Sequence, residues 1–139
     1  MKTKIYRIPE FQKPSNIEGN GNNHLMIIGY DDDLAQHYAT LSGLVKAIKK
    51  DINEDCVVVR LDRDVKYDIN GLIDQYAIKE IITLGIDNDV INFKFNVPQH
   101  SWIRTEKFDL LKSVTIGQMN QNKSDKMSLW NQLQTYYAL

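Results

Sequence analysis

Three short β-rich runs, Leu25-Met-Ile-Ile28, Cys56-Val-Val-Val-Arg-Leu61 and Glu80-Ile-Ile-Thr-Leu84, recur along this chain with helical pattern between them. This alternation constrains the fold more than any other feature. Each run has the length of a buried strand, and the first and third stop at a glycine, Gly29 and Gly85. Between the first two, Leu34, Tyr38, Leu41, Leu44, Val45 and Ile48 share one helical face. Asp31, Asp32 and Asp33 open that segment and Lys46, Lys49 and Lys50 close it, so the charges at both ends favour the helix dipole. After the second run, Asp68 can cap a short helix presenting Ile69, Leu72, Ile73 and Tyr76. A fourth run, Phe108 to Ile116, resumes the strand pattern and stops at Gly117. Parallel strands need a long crossover, usually a helix, so this order predicts βαβ units. The expected fold class is α/β, a three-layer α/β/α sandwich around a mainly parallel four-stranded central sheet.

Two segments depart from the alternation. Asp87-Asn-Asp89 is a turn signal, and Val90 to Phe95 sets Ile91, Phe93 and Phe95 against Asn92 and Lys94, the pattern of a half-exposed strand or hairpin arm. Pro98 to Glu106 reads as loop. At the other end, Pro9, Pro14 and the run Gly19-Asn-Gly-Asn-Asn23 punctuate residues 1–23, and little periodicity survives there. The chain therefore divides into a tail, 1–23, and a single α/β domain, 24–139. Within the tail, Ile5, Tyr6, Ile8 and Phe11 are apolar without a local partner. Two readings stand open: a strap packed on the body, or a docking peptide that orders on a partner.

Asn122 to Tyr137 is mostly one amphipathic helix. Leu129, Trp130, Leu133, Tyr136 and Tyr137 fall within about a third of its circumference, while Ser128, Asn131 and Thr135 point elsewhere. Lys126 shares that stripe, so burial is expected to begin after it, with Ser124 or Asp125 as N-cap. Burial of the Trp130 face implies a cost of about 3–5 kcal/mol for truncating that residue.

A chain of 139 residues is one domain by length and buries a sizeable core. Hydrophobic residues at 42% and charged residues at 25% place it in the ordinary globular range. Lysines and arginines are scattered among nearly equal numbers of carboxylates for a net charge of −1, so a broad basic face for duplex DNA is not expected. One cysteine, Cys56, cannot close an intrachain disulfide, and the N-terminus reads as lacking a charged-then-apolar leader; the expected compartment is the cytoplasm. No apolar run approaches the roughly 20 residues that span a bilayer, so no membrane partner is expected.

The residues that carry chemistry elsewhere are not arranged for it here. Asp31, Asp32 and Asp33 diverge on consecutive positions and read as a solvated helix N-terminus before a cation site. His24, His37 and His100 lack metal-ligand spacing, and His37 falls beside Leu41 and Leu44 as a hydrogen-bonded core or interface histidine. Cys56 begins a strand as a small apolar residue. Gly19-Asn-Gly21 does not follow a strand and open a helix, so it is no nucleotide fingerprint. No cofactor, metal or catalytic residue is assigned.

Strand, helix, strand, strand, strand and a final helix carrying Leu129-Trp130-Asn131-Gln132-Leu133-Gln134-Thr135-Tyr136 form an order that resembles the uracil-DNA glycosylase superfamily. Within it the chain is most similar to the psi-subunit family of bacterial DNA polymerase III, whose closing Leu-Trp-Gln-Gln-hydrophobic-x-Thr-Tyr stretch those residues match in part. The resemblance implies a non-catalytic accessory subunit of the replicative holoenzyme that bridges clamp-loader subunits to a second accessory protein. The family's N-terminal peptide would map by position onto Lys4, Ile5, Tyr6, Ile8 and Phe11, although these residues do not match its pattern, and residues between Ile86 and Lys107 are extra. Active glycosylases hold a water-activating acid or amide in the first loop and a His-Pro-Ser-Pro type sequence after the fourth strand. The corresponding segments here are Gly29-Tyr30-Asp31-Asp32-Asp33 and Thr115-Ile116-Gly117-Gln118-Met119, and the second has neither histidine nor proline. The alternatives are a glycosylase-like repair enzyme and an α/β interaction module unrelated to replication.

Overall fold

Alternate residues of each central strand enter two separate hydrophobic cores, and that division sets the layers. The structure, a computed structural model, describes residues 11–139. Its strands are β1 (Asn16–Glu18), β2 (Leu25–Tyr30), β3 (Cys56–Leu61), β4 (Glu80–Leu84), β5 (Trp102–Arg104) and β6 (Asp109–Ser113). Its α-helices are α1 (Asp31–Gln36), α2 (Tyr38–Ala47), α3 (Asn70–Gln75), α4 (Ile116–Gln121) and α5 (Lys123–Tyr136). The strands form one mixed sheet in the order β1-β3-β2-β4-β6-β5. β3, β2, β4 and β6 run parallel, with Leu25 opposite both Cys56 and Glu80, and β1 and β5 add antiparallel edges. The α/β expectation thus holds, while the sheet has six strands rather than four.

Leu25 and Ile27 of β2, Val58 of β3, Ile82 of β4 and Leu111 of β6 face the first core. There they meet Leu34 of α1, Leu41 and Val45 of α2, Met119 of α4, and Leu129 and Leu133 of α5. Met26, Ile28, Val57, Val59, Ile81 and Leu110 face the second core. It is closed by Ile73 of α3, by Ile91 in a 3-10 turn at Asn88–Ile91, and by Phe93, Val97 and Phe108. The second face is therefore covered by one helix, a turn and a loop.

Several expectations need correcting. Val90 to Phe95 is not a strand: Asn92 adopts a left-handed φ of 61° after the 3-10 turn, and Phe93 stacks between Phe95 and Phe108. The alternation there came from aromatic packing. Within the expected loop Pro98 to Glu106, Trp102–Arg104 pairs with β6 instead. The first helix breaks at His37, whose ψ of 31° and φ of −116° end α1 and start α2. Residues 11–23 are part of the body. Ile17 lies opposite Val59, Gln12 bridges Tyr67, and Asn20, Gly21, Asn22 and Asn23 donate backbone N–H bonds to Asn53, Cys56, Glu54 and Asp55. Gly19 has φ 97° and a Cβ there would lie 2.1 Å from the Cys56 carbonyl, so the glycine-rich run is a tight turn packed on β3 rather than a hinge. Residues 11–23 thus pack on the body; of the apolar residues on which the strap and docking readings turn, only Phe11 is described, and Lys4, Ile5, Tyr6 and Ile8 lie outside the described residues.

In α5, Leu129 and Leu133 are buried as expected, but Trp130, Tyr136 and Tyr137 are only half-buried. The N-cap is Asn122, not Ser124 or Asp125: its side chain accepts from the N–H groups of both. No helix among the described residues is long and apolar enough to cross a membrane.

Candidate functional site

In an open parallel sheet the carboxyl ends of the strands, where neighbouring connections leave in opposite directions, form the usual binding crevice. Here β2 connects to β3 on one side, and β3 returns to β4 on the other. The first turn of α1, directly after β2, carries Asp31, Asp32 and Asp33, and the segment after β6 leads into the N-terminus of α4.

The three carboxylates are committed separately. Asp33 is buried, and its oxygens accept the backbone N–H groups of Ile116 at 2.8 Å and Gly117 at 2.9 Å. Thr115 caps the same helix, its Oγ1 accepting from the Gln118 N–H at 3.2 Å. The free N–H groups of the first turn are thus satisfied, two of them by a side chain from α1 on the same face of the sheet. Asp32 pairs with Arg63 at 3.2 Å. Asp31 lies 3.9 Å from Arg60 and accepts from Asn16 Nδ2 at 3.4 Å. Arg60 also donates through Nε to Glu18 at 2.5 Å, which ties β1 to β3 beside the first turn of α1.

Aromatic rings frame these cations. The Arg63 guanidinium sits 4.3 Å from the Tyr30 ring centre and that of Arg60 5.9 Å from Tyr38. Burial raises the Tyr30 phenol above its ordinary pKa, and nearby Arg63 opposes that shift. His37 lies over Gly117, with Nδ1 3.2 Å from Asn120 Nδ2, while Asn120 Oδ1 accepts from Thr40 at 3.3 Å. This fixes the break between α1 and α2 against α4.

The remaining sequence candidates are dispersed. His24 Nδ1 contacts the Tyr76 carbonyl at 3.1 Å, and His100 Nε2 lies 3.0 Å from Ser113 Oγ. Ser113 is fully buried, and His100 is half-buried. Among the described residues, no group of three or more His, Cys, Asp or Glu is placed to hold a metal ion. Phe11 is half-buried beside Gln12, whose bridge to Tyr67 starts the strap.

The closing motif of α5 has a different setting, at the amino ends of β4 and β6. Trp102 stacks on Tyr136 with ring centres 3.9 Å apart and meets Tyr137 edge-on. Tyr136 donates to Asp109 at 2.6 Å and Tyr137 to Glu80 at 2.9 Å. Both phenols are raised well above the ordinary range. Burial is the main cause for each, followed for Tyr136 by its hydrogen bond to Asp109 and for Tyr137 by the charge of Glu80.

Arg60, Arg63 and Asn120, which neutralise or brace the crevice, were not singled out from sequence. Arg60 offered a signal, as the charged residue in an otherwise apolar strand run; Arg63 and Asn120 did not. No protein-family model matches the chain, and no curated protein matches it.

Proposed function

We propose that this chain is a non-catalytic accessory subunit with a uracil-DNA glycosylase-like fold, acting as a psi-like bridge between the clamp loader of a bacterial replicative polymerase and a second accessory protein. The observation that carries the non-catalytic part is the placement of Asp33. A water-activating acid needs an oxygen open to solvent and substrate, whereas both Asp33 oxygens hold the backbone of α4. Asp31 lies near Arg60 of β3, and Asp32 pairs with Arg63, which follows that strand. The parallel strand order β3-β2-β4-β6 and the closing α5 helix support the fold reading. The assembly itself is taken from the resemblance of the Leu129 to Tyr136 stretch.

Gel filtration of the full chain with a purified bacterial clamp-loader complex tests the reading. Co-elution is expected, with no strand cleavage when the chain is incubated with uracil-containing single-stranded DNA and then alkali. Uracil excision that disappears in Asp31→Asn would replace this reading with a repair enzyme.

A further inference from the structure

Lysine outnumbers carboxylate in α2 and α5, two of the helices that cover the first core. Residues 38–50 and 115–139, which supply α2, α4 and α5, hold five lysines and one aspartate, a balance of +4 in a chain whose net charge is −1, while the three aspartates that open α1 are committed to Arg60, Arg63 and the N-terminus of α4. Among the described residues, Lys46, Lys49, Lys123 and Lys126 have no carboxylate within salt-bridge distance. Between α2 and α5 the helical layer opens into a trough of about 380 Å³, lined by Gly43, Leu44 and Ala47 on one side and Lys126, Met127 and Trp130 on the other. Met127 is 54% exposed, and a Cβ placed on Gly43 would touch nothing within 4 Å.

We propose that this trough docks an acidic amphipathic helix of a partner protein. Its apolar floor suits the nonpolar face of a helix, and Lys126, which lines the trough without a carboxylate partner, can meet a carboxylate on the flank of that helix, with the other unpaired lysines of the segments ending α2 and opening α5 adding positive charge. Nucleic acid fits less well, because a strand-binding groove needs successive aromatic platforms along a basic track, and this floor has one aromatic residue among aliphatic ones. The inference deepens the reading of the chain as an interaction subunit and rests on it. Co-elution with the clamp loader decides the assembly, whereas the position of an acidic ligand on the full chain decides this docking site.

The probe is a synthetic amphipathic peptide with leucines on one helical face and glutamates elsewhere, compared with the same peptide carrying lysines for glutamates and with oligothymidine. Each is titrated into the full chain while backbone amide resonances and tryptophan emission are recorded. Saturable binding of the acidic peptide is expected, with shifts centred on Gly43, Ala47, Met127 and Trp130. Gly43→Glu and the double change Lys46→Glu with Lys126→Glu should each weaken it by about tenfold or more, with unchanged melting temperatures. Added salt should weaken it too. Absence of binding, shifts centred elsewhere, or affinity unaltered by both variants would overturn the proposal. A preference for oligothymidine would also overturn it and assign the lysines to nucleic acid.

Discussion

Asp33 caps α4 from 83 residues away in sequence, so its role is invisible to local pattern. Three consecutive aspartates read as a solvated helix start, and two of them are paired near the surface; the third turns inward because the N-terminus of α4 lies above it. Asp33→Ala leaves two N–H groups without their charged acceptor and should cost about 3 kcal/mol, read as a lower urea midpoint. Asp33→Asn, which keeps one acceptor oxygen, should cost less. An unchanged midpoint in Asp33→Ala would mean that the carboxylate is available for other work. Cys56 is the opposite case, fully legible as a small apolar residue at the start of a strand. Burial, then the neighbouring Asp55 charge, pushes its thiol up to about 12 against the smaller opposing effect of Lys50. Aromatic disulfide reagent near neutral pH should therefore react with Cys56 only after unfolding; rapid labelling of the native chain would contradict that packing. Tyr136 and Tyr137 make stability fall at high pH. Their folded pKa values lie above the ordinary 10.0, so the unfolded chain releases protons first once pH passes that value. Their contribution is complete below pH 10.0 and is lost as pH rises toward the folded values. Urea midpoints between about pH 9 and pH 11 should drop less steeply in Tyr137→Phe than in the native chain.

Helix ends show why element boundaries were harder to read than element types. α2, α3 and α5 all finish with paired backbone bonds back into the last turn. In α3 these run from Ala77 to Asp74 and from Ile78 to Ile73. The left-handed residue that this arrangement needs is usually glycine, but here it is Lys49, Ala77 and Ala138, with φ of 63°, 50° and 54°. No glycine therefore marked these ends in the sequence. Ala77→Gly should stabilise the fold by about 1 kcal/mol, since an L-residue pays for the left-handed conformation; a lower denaturation midpoint would contradict the assigned geometry. Within α5 the half-burial of Trp130 lowers the cost of about 3–5 kcal/mol expected for its truncation. Leu133→Ala, in the first core, should cost about 3 kcal/mol, and Trp130→Ala should cost less, because the indole keeps one side on the open trough. The edge strands escaped notice for a related reason. Asn16–Glu18 and Trp102–Arg104 are three residues each, too short for alternation to register, and both are held by pairing with a neighbour already recognised as a strand.

At the scale of the whole molecule, the α/β class was legible because its four inner strands are apolar on both faces and separated by crossover lengths. The sheet edges and the contents of the crevice depend on contacts across long sequence separations, and these leave no periodic trace. Two regions matter most at this scale: the carboxyl ends of β2 and β6, where Asp33 holds the N-terminus of α4, and the apolar trough between α2 and α5 lined by Lys126. Because β1 belongs to the sheet, a truncation that tests the N-terminal segment must begin at Phe11; cutting at Gly19 would remove Asn16–Glu18 from the edge of β3. The most direct measurement is affinity purification from native cell extract of the full chain and of the chain beginning at Phe11, matched for melting temperature, with identification of the proteins retained. The account predicts clamp-loader subunits with the full chain and their loss from the shortened one. Their absence from both, in an extract where the clamp loader is intact and soluble, would contradict the replication reading.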